Sequence, residues 1–205
     1  MSDIARDKLV EAPLGQTAEE PSAFAQTPAW SEVTKLSDSS FRVRLGGAFG
    51  QGWLASLCCG LAAQRINIER AHAMRTRNLS WIAEFTAVAL LGAAEPDTVP
   101  YLALASSPIS PYAKPMRLTQ YALESCYDGT LKLALEAQDS LGLLGAVLEK
   151  LAVLGLYPIE MHIETQTARA EDTIWLCTAD GGTPGDAQRE ALERVLKSAL
   201  SLPRA

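Results

Sequence analysis

The chain has 205 residues, 48% of them hydrophobic and 20% charged, with a formal net charge of −6. That length suits one medium domain or two small ones, and the acidic balance disfavours nucleic acid as a main partner, because phosphate binding needs clustered Lys and Arg. The most apolar run, Trp81 to Ala94, is too short to span a bilayer and contains Glu84, so no membrane partner is expected.

Residues 1–38 are rich in Ser, Thr, Ala, Pro and Glu and show no sustained period, which predicts a flexible N-terminal arm. Its opening, MSDIARDKLVEAP, lacks an apolar core behind a basic start and does not read as a secretory signal. The four cysteines, Cys58, Cys59, Cys126 and Cys177, include no CxxC spacing. They read as reduced, buried thiols of a cytoplasmic protein rather than as a disulfide frame or a zinc site. No cofactor or metal is expected.

FRVRL, from Phe41, alternates apolar and basic residues and predicts a strand with one buried face. The glycine-rich turn GGAFGQG follows, and then WLASLCCGLAAQ, with Trp53, Leu54, Leu57, Cys58 and Leu61 at helical spacing. INIERAHAMRTRN and SWIAEFTAVALLG read as hairpin partners. The proline-rich stretch 93–115 leaves room for one short helix in TVPYLALAS, and MRLTQYALES predicts another strand.

The second half is clearer. GTLKLALEAQ predicts a strand, and DSLGLLGAVLEKLAVLG a helix with Leu144, Val147, Leu148 and Leu151 on one side. YPIEMHIET alternates, with Tyr157, Ile159, Met161 and Ile163 assigned to one face and Glu160, His162 and Glu164 to the other. QTARAED reads as the turn and TIWLCTAD as the next strand. Thr183 and Pro184 are expected to open the last helix. The order β-α-β-β-α is ferredoxin-like, short of a final strand, and implies a two-layer α+β sandwich.

Sliding the chain by 90 residues places Leu45 on Leu135, Gly52 on Gly142, Leu54 on Leu144, Leu61 on Leu151 and His72 on His162 without a gap. We read two copies of one fold, with domains at 39–122, the more degenerate, and 123–205.

The turn before the second helix carries the chemistry. Without a Cβ, Gly142 lets a ligand approach the first helical turn, whose free N–H groups suit a carboxylate. Asp139 is placed to accept from an ammonium group, and together these features fit a free amino acid. The competing reading is that Asp139 or Ser140 caps the helix and Gly142 eases packing.

The stretch DSLGLLGAVLEKLAVLGLYPIEMHIET, followed by RAEDTIWLCTADGG and a closing helix, resembles the ACT domain. It is similar to the C-terminal ACT repeats of the bacterial nitrogen-sensing (PII) uridylyltransferase. The resemblance covers about 131–200 well, 41–94 more weakly, and not the N-terminal arm. It implies two tandem ferredoxin-like (βαββαβ) units that bind an amino acid at an interface between paired domains. It also implies a non-enzymatic, allosteric regulator, a homodimer and a partner protein. The alternative is a purely structural dimerisation or adaptor module whose sites have decayed.

By that resemblance the contacts in the second copy are Asp139, Ser140, Leu141, Gly142 and Leu143, facing Tyr157 and Pro158. Those in the first are Gly50, Gln51, Gly52 and Trp53, with Asn67 and Ile68. The family often has Pro where Leu141 stands and Asn where Tyr157 stands. The first copy keeps Asn67 but has Phe49 in the place of Asp139, so neither copy holds the full polar set. A complete site shared between copies is one resolution. His72 and His162 occupy equivalent strand positions, where a pair can bind metal or titrate together. They read as solvated or interface residues.

Overall fold

The computed structural model describes residues 28–110 and 115–200. In chain order the elements are β1 (Trp30–Lys35), β2 (Ser40–Gly47), α1 (Trp53–Ala63), β3 (Ile66–Arg75) and β4 (Trp81–Ala89), then a 3-10 turn (Pro96–Thr98) and α2 (Tyr101–Ser106). The second half holds β5 (Leu118–Ser125), β6 (Leu131–Gln138), α3 (Leu143–Val153), β7 (Leu156–Gln166), β8 (Arg169–Thr178) and α4 (Asp186–Ala199). The eight strands form one sheet in the order β1-β2-β4-β3-β7-β8-β6-β5, antiparallel at every junction. The architecture is α+β and ferredoxin-like in general outline.

The two halves mirror each other about the β3–β7 junction. α1 and α3 both have 11 residues and start 90 positions apart, at 53 and 143. Both are capped by a left-handed glycine, Gly52 at φ 77° and Gly142 at φ 84°. Each of the strands β3 and β7 also carries a one-residue bulge, between Ile68 and Arg70 and between Pro158 and Glu160. The extra residues, Glu69 and Ile159, are again 90 apart. A bulge inserts one residue and turns the side chains on one side of it to the other face. The expected strict alternation across 157–163 is therefore corrected: Met161 and Ile163 are buried, while Tyr157 and Ile159 are only half-buried.

The core lies between one face of the sheet and the helices. Phe41, Val43, Leu45, Phe85, Leu133, Leu135, Met161, Ile174 and Leu176 supply the sheet side, and Leu57, Leu61, Leu148 and Leu151 the helix side. Each such side chain contributes about 1.5–3 kcal/mol by leaving water. α1 packs directly on α3, and α2 on α1.

Several sequence expectations need correction. The strand thought missing from the second half is supplied ahead of it. β5 forms a local hairpin with β6 through a turn in which Asp128 accepts from the Thr130 amide at 3.0 Å. A boundary at 122/123 would cut β5 in two. The arm expected over 1–38 is regular from Trp30, where β1 pairs with β2 and the Trp30 indole lies over Gly46; residues 1–27 lie outside the described residues. α4 is capped by Gly185, two residues later than expected, and its amide donates to Gln188 Oε1 at 3.2 Å. Cys58, Cys59 and Cys177 are buried thiols outside any disulfide, but Cys126 is only partly buried. Trp81 and Trp175 lie in different surroundings. Trp81 is buried against Trp53, whereas Trp175 lies against Lys132 and His162 on the other face.

Gly145 sets the approach of α3 to α1. A Cβ built there would lie 3.0 Å from Cys59 Sγ and 3.1 Å from the Cys59 backbone nitrogen. In an open helix, Gly to Ala gains up to about 1 kcal/mol. Here Gly145→Ala is expected to lose about 1–3 kcal/mol by overpacking, read by urea unfolding. A gain in stability would contradict this packing.

Candidate functional site

The β3–β7 pairing matches Ala71 with Ile163, His72 with His162 and Ala73 with Met161. Because the strands run antiparallel, the beginning of β3 lies beside the end of β7. It therefore meets the turn that precedes α3, not the turn of its own half. Two clefts result, each combining a turn from one half with a strand start from the other.

The first cleft is lined by Asn67 and Ile68 from β3, by Asp139, Ser140, Gly142 and Leu143 from the second turn, and by Asp172 below them. Asn67 Nδ2 donates to Asp139 Oδ2 at 2.9 Å, so the two polar residues found in different copies of the repeat meet here. Asp139 does not cap α3. Its amide donates to the Ala168 carbonyl at 2.8 Å, and α3 has no side-chain cap. The Leu143 amide donates to Ser140 and that of Ala146 to Gly142. Leu144 and Gly145, which line the cleft, carry the remaining donors of the first turn.

Asp172 is 3% exposed, and its Oδ1 has no hydrogen-bond partner among the described residues. Burial, and then the charge of Asp139, raise its pKa to about 7. Two carboxyl groups at the base of a closed cleft, beside helix-start amides, suit a small ligand carrying both a cation and an anion. Cys58 also lines this cleft. Burial first, then Cys59 and Asp172, push its thiol well above the ordinary range, which leaves it protonated and unreactive. The free space at the centre is about 20 Å³, room for roughly one water molecule.

The second cleft is the pseudo-symmetric partner. Gly50, Gln51, Gly52 and Trp53 face Tyr157 and Pro158, and the free space is about 50 Å³. Aromatic rings fill it: Phe49 stacks on Trp53 at 4.5 Å, and Trp81 meets Trp53 edge-on at 5.3 Å. Gln51 Nε2 donates to the Ala179 carbonyl and closes the rim.

All the expected contact residues except Leu141 thus line one cleft or the other, but the pairings are crossed. Tyr157 and Pro158 do not face Asp139, and Asn67 and Ile68 do not face Gly52. Gly142 also has a different first role. At φ 84° its conformation alone favours glycine, so changing it would strain the helix start whatever binds there.

Asp172 was missed because RAED was assigned to the turn. The turn is only Thr167 and Ala168, at φ 49° and 64°, and β8 already begins at Arg169. The available signal was parity, since Asp172 shares the buried face with Ala170, Ile174 and Leu176. The histidines, read as solvated or interface residues, have their rings 4.4 Å apart on the open face of the sheet.

No protein-family model matches the chain, and no curated protein sequence does. Among solved structures, aspartate kinase from Synechocystis aligns over 79% of this chain and 27% of its own, with 14% identity and a TM-score of 0.45. The chain therefore spans about a quarter of that protein's length. None of these comparisons links it to the uridylyltransferase repeats. No helix among the described residues is long and apolar enough to cross a membrane.

A carboxyl raised to about 7 in the folded protein binds more protons than the unfolded chain between pH of about 4 and 7. Its neutral form is the favoured one, so stability is full below the unfolded value and falls as pH rises through about 7. Relative to Asp172→Asn, the wild type is expected to lose a few kcal/mol across that window, at about 1.4 kcal/mol for each pH unit between the two values. Thermal melts at a series of pH values test this. Parallel curves for the two proteins would contradict the burial of an ionising Asp172.

Proposed function

We propose that the chain is a non-enzymatic regulatory module of two tandem ACT-like units. It would bind one small zwitterion, a free amino acid, at the Asn67–Asp139–Asp172 cleft. The supporting observation is the 2.9 Å bond from Asn67 to Asp139, which unites in one chain the polar set that each copy holds in part. The ligand ammonium group would sit between Asp139 and Asp172 and relieve their mutual repulsion. Its carboxylate would take the free amides at the start of α3. Among the described residues no histidine, lysine or arginine lines the cleft, and the Cys58 thiol there is held neutral, so the groups it offers are suited to binding.

The space of about 20 Å³ is smaller than any amino acid. Entry therefore requires the 139–142 turn to move away from Asn67, breaking a bond between the two halves. A ligand that favours the opened arrangement shifts the population toward it, and that movement is the signal passed to a partner protein. Edge-to-edge pairing in a homodimer would use β1 or β5, because the β3 and β7 edges already face each other.

The structural-module alternative is favoured by one observation, the aromatic filling of the second cleft. The two readings separate in a thermal-shift screen against the twenty amino acids. On the sensor reading, one amino acid at a hundredfold excess over its Kd stabilises by about 2.7 kcal/mol, several degrees in midpoint. Asp139→Asn abolishes the shift and Tyr157→Ala keeps it. A flat screen with millimolar ligand favours the structural module and sinks the sensor.

A further inference from the structure

The open face of the sheet holds a second cluster, unrelated to either cleft. His72 and His162 are direct register partners across the β3–β7 junction. In an antiparallel pair, directly opposed side chains emerge on the same face about 4.5–5.5 Å apart at Cβ. Glu160 lies two residues before His162, beyond the bulge at Ile159, and so shares that face. Its Oε1 is 2.8 Å from His162 Nε2 and 4.0 Å from His72 Nε2. The three ligand atoms all lie within 4.8 Å of one another.

We propose that His72, Glu160 and His162 form a binding site for a divalent first-row transition metal, with zinc as the first candidate. Two imidazoles and one carboxylate are a donor set that suits zinc, copper or nickel and not magnesium or calcium. Bond lengths of about 2.0–2.2 Å to such donors require the three atoms to converge from their present spacing. The side chains are 41–52% exposed and free to make that adjustment. Their backbones are not free: β3 and β7 are the two central strands of the sheet, each paired on both sides, which fixes the Cα positions of the ligands. Trp175 packs edge-on against His162 with ring centroids 5.4 Å apart and limits the swing of that ring. Of the three ligands, His162 also lines a groove of about 550 Å³, together with Arg70, Tyr121, Glu164 and Thr173, which gives solvent a route to that side of the site. Water or an exogenous ligand completes the shell there.

The site uses one histidine from each half, so it exists only when the halves are joined. Bound metal would tie β3 to β7 and stabilise the junction in proportion to its occupancy.

The test uses the full chain without an affinity tag, stripped of metal by chelator and titrated with zinc chloride by calorimetry. One equivalent is expected to saturate it. His72→Asn and His162→Gln should each lower the affinity at least tenfold, the low end of what losing a mere outer-shell partner costs. The chain contains only two histidines, so ring carbon–proton NMR correlations give an independent readout. Both imidazole signals should shift together and stop moving at one equivalent. Lack of saturable binding, wild-type affinity in either folded variant, or movement of only one imidazole signal would overturn the site.

Discussion

The antiparallel pairing of β3 with β7 is the constraint on which the molecule depends. It joins two half-sheets into one sheet of eight strands and sets α1 beside α3, where Gly145 allows the backbones to close. It also decides which residues meet. Had each strand start faced the turn of its own half, Asn67 would have lain near Phe49, and Asp139 near Tyr157. The antiparallel crossing instead brings Asn67 to Asp139 and leaves the aromatic residues to each other.

The two clefts show how one backbone geometry carries opposite chemistry. Both turns use a left-handed glycine before a helix of 11 residues. One cleft has Asp139 and Asn67 at the positions where the other has Phe49 and Tyr157; the counterpart of Asp172 by strand pairing is Ala83, since Ala83 pairs with Ala73 as Asp172 pairs with Ile163. A buried carboxyl with an unpartnered oxygen is destabilising by its nature. Its presence under one turn only, opposite a matching alanine, separates a cleft built around polar groups from one packed shut with rings. The energetic asymmetry follows, with the aromatic cleft adding stability and the polar cleft giving some of it up.

Much of this was legible in the sequence, for definite reasons. Helices α1 and α3 announce themselves by apolar spacing, and the repeat by the shared glycine and the histidines. The hairpin strands follow from alternation. What could not be read was long-range. Nothing in the one-dimensional pattern says that β3 pairs with β7, so the crossing of the two sites and the contact between His72 and His162 stayed hidden. Local errors had local causes. The bulge at Ile159 broke a parity count that assumed regular pleating. A hairpin turn at Thr167 and Ala168, with neither glycine nor proline, made Asp172 look like part of a loop. The place of β5 was misjudged because a final strand was sought at the end of the repeat, when a cheaper local hairpin supplied it at the front.

Asn67 and Asp139, 72 positions apart in the chain, act on each other across the junction. A double-mutant cycle measures this directly, using Asn67→Ala, Asp139→Ala and the double variant in denaturant unfolding. The expected coupling is about 0.5–3 kcal/mol, as for residues in contact. Additivity within about 0.3–0.5 kcal/mol would mean that the two residues do not act on each other and that the two halves do not share this site.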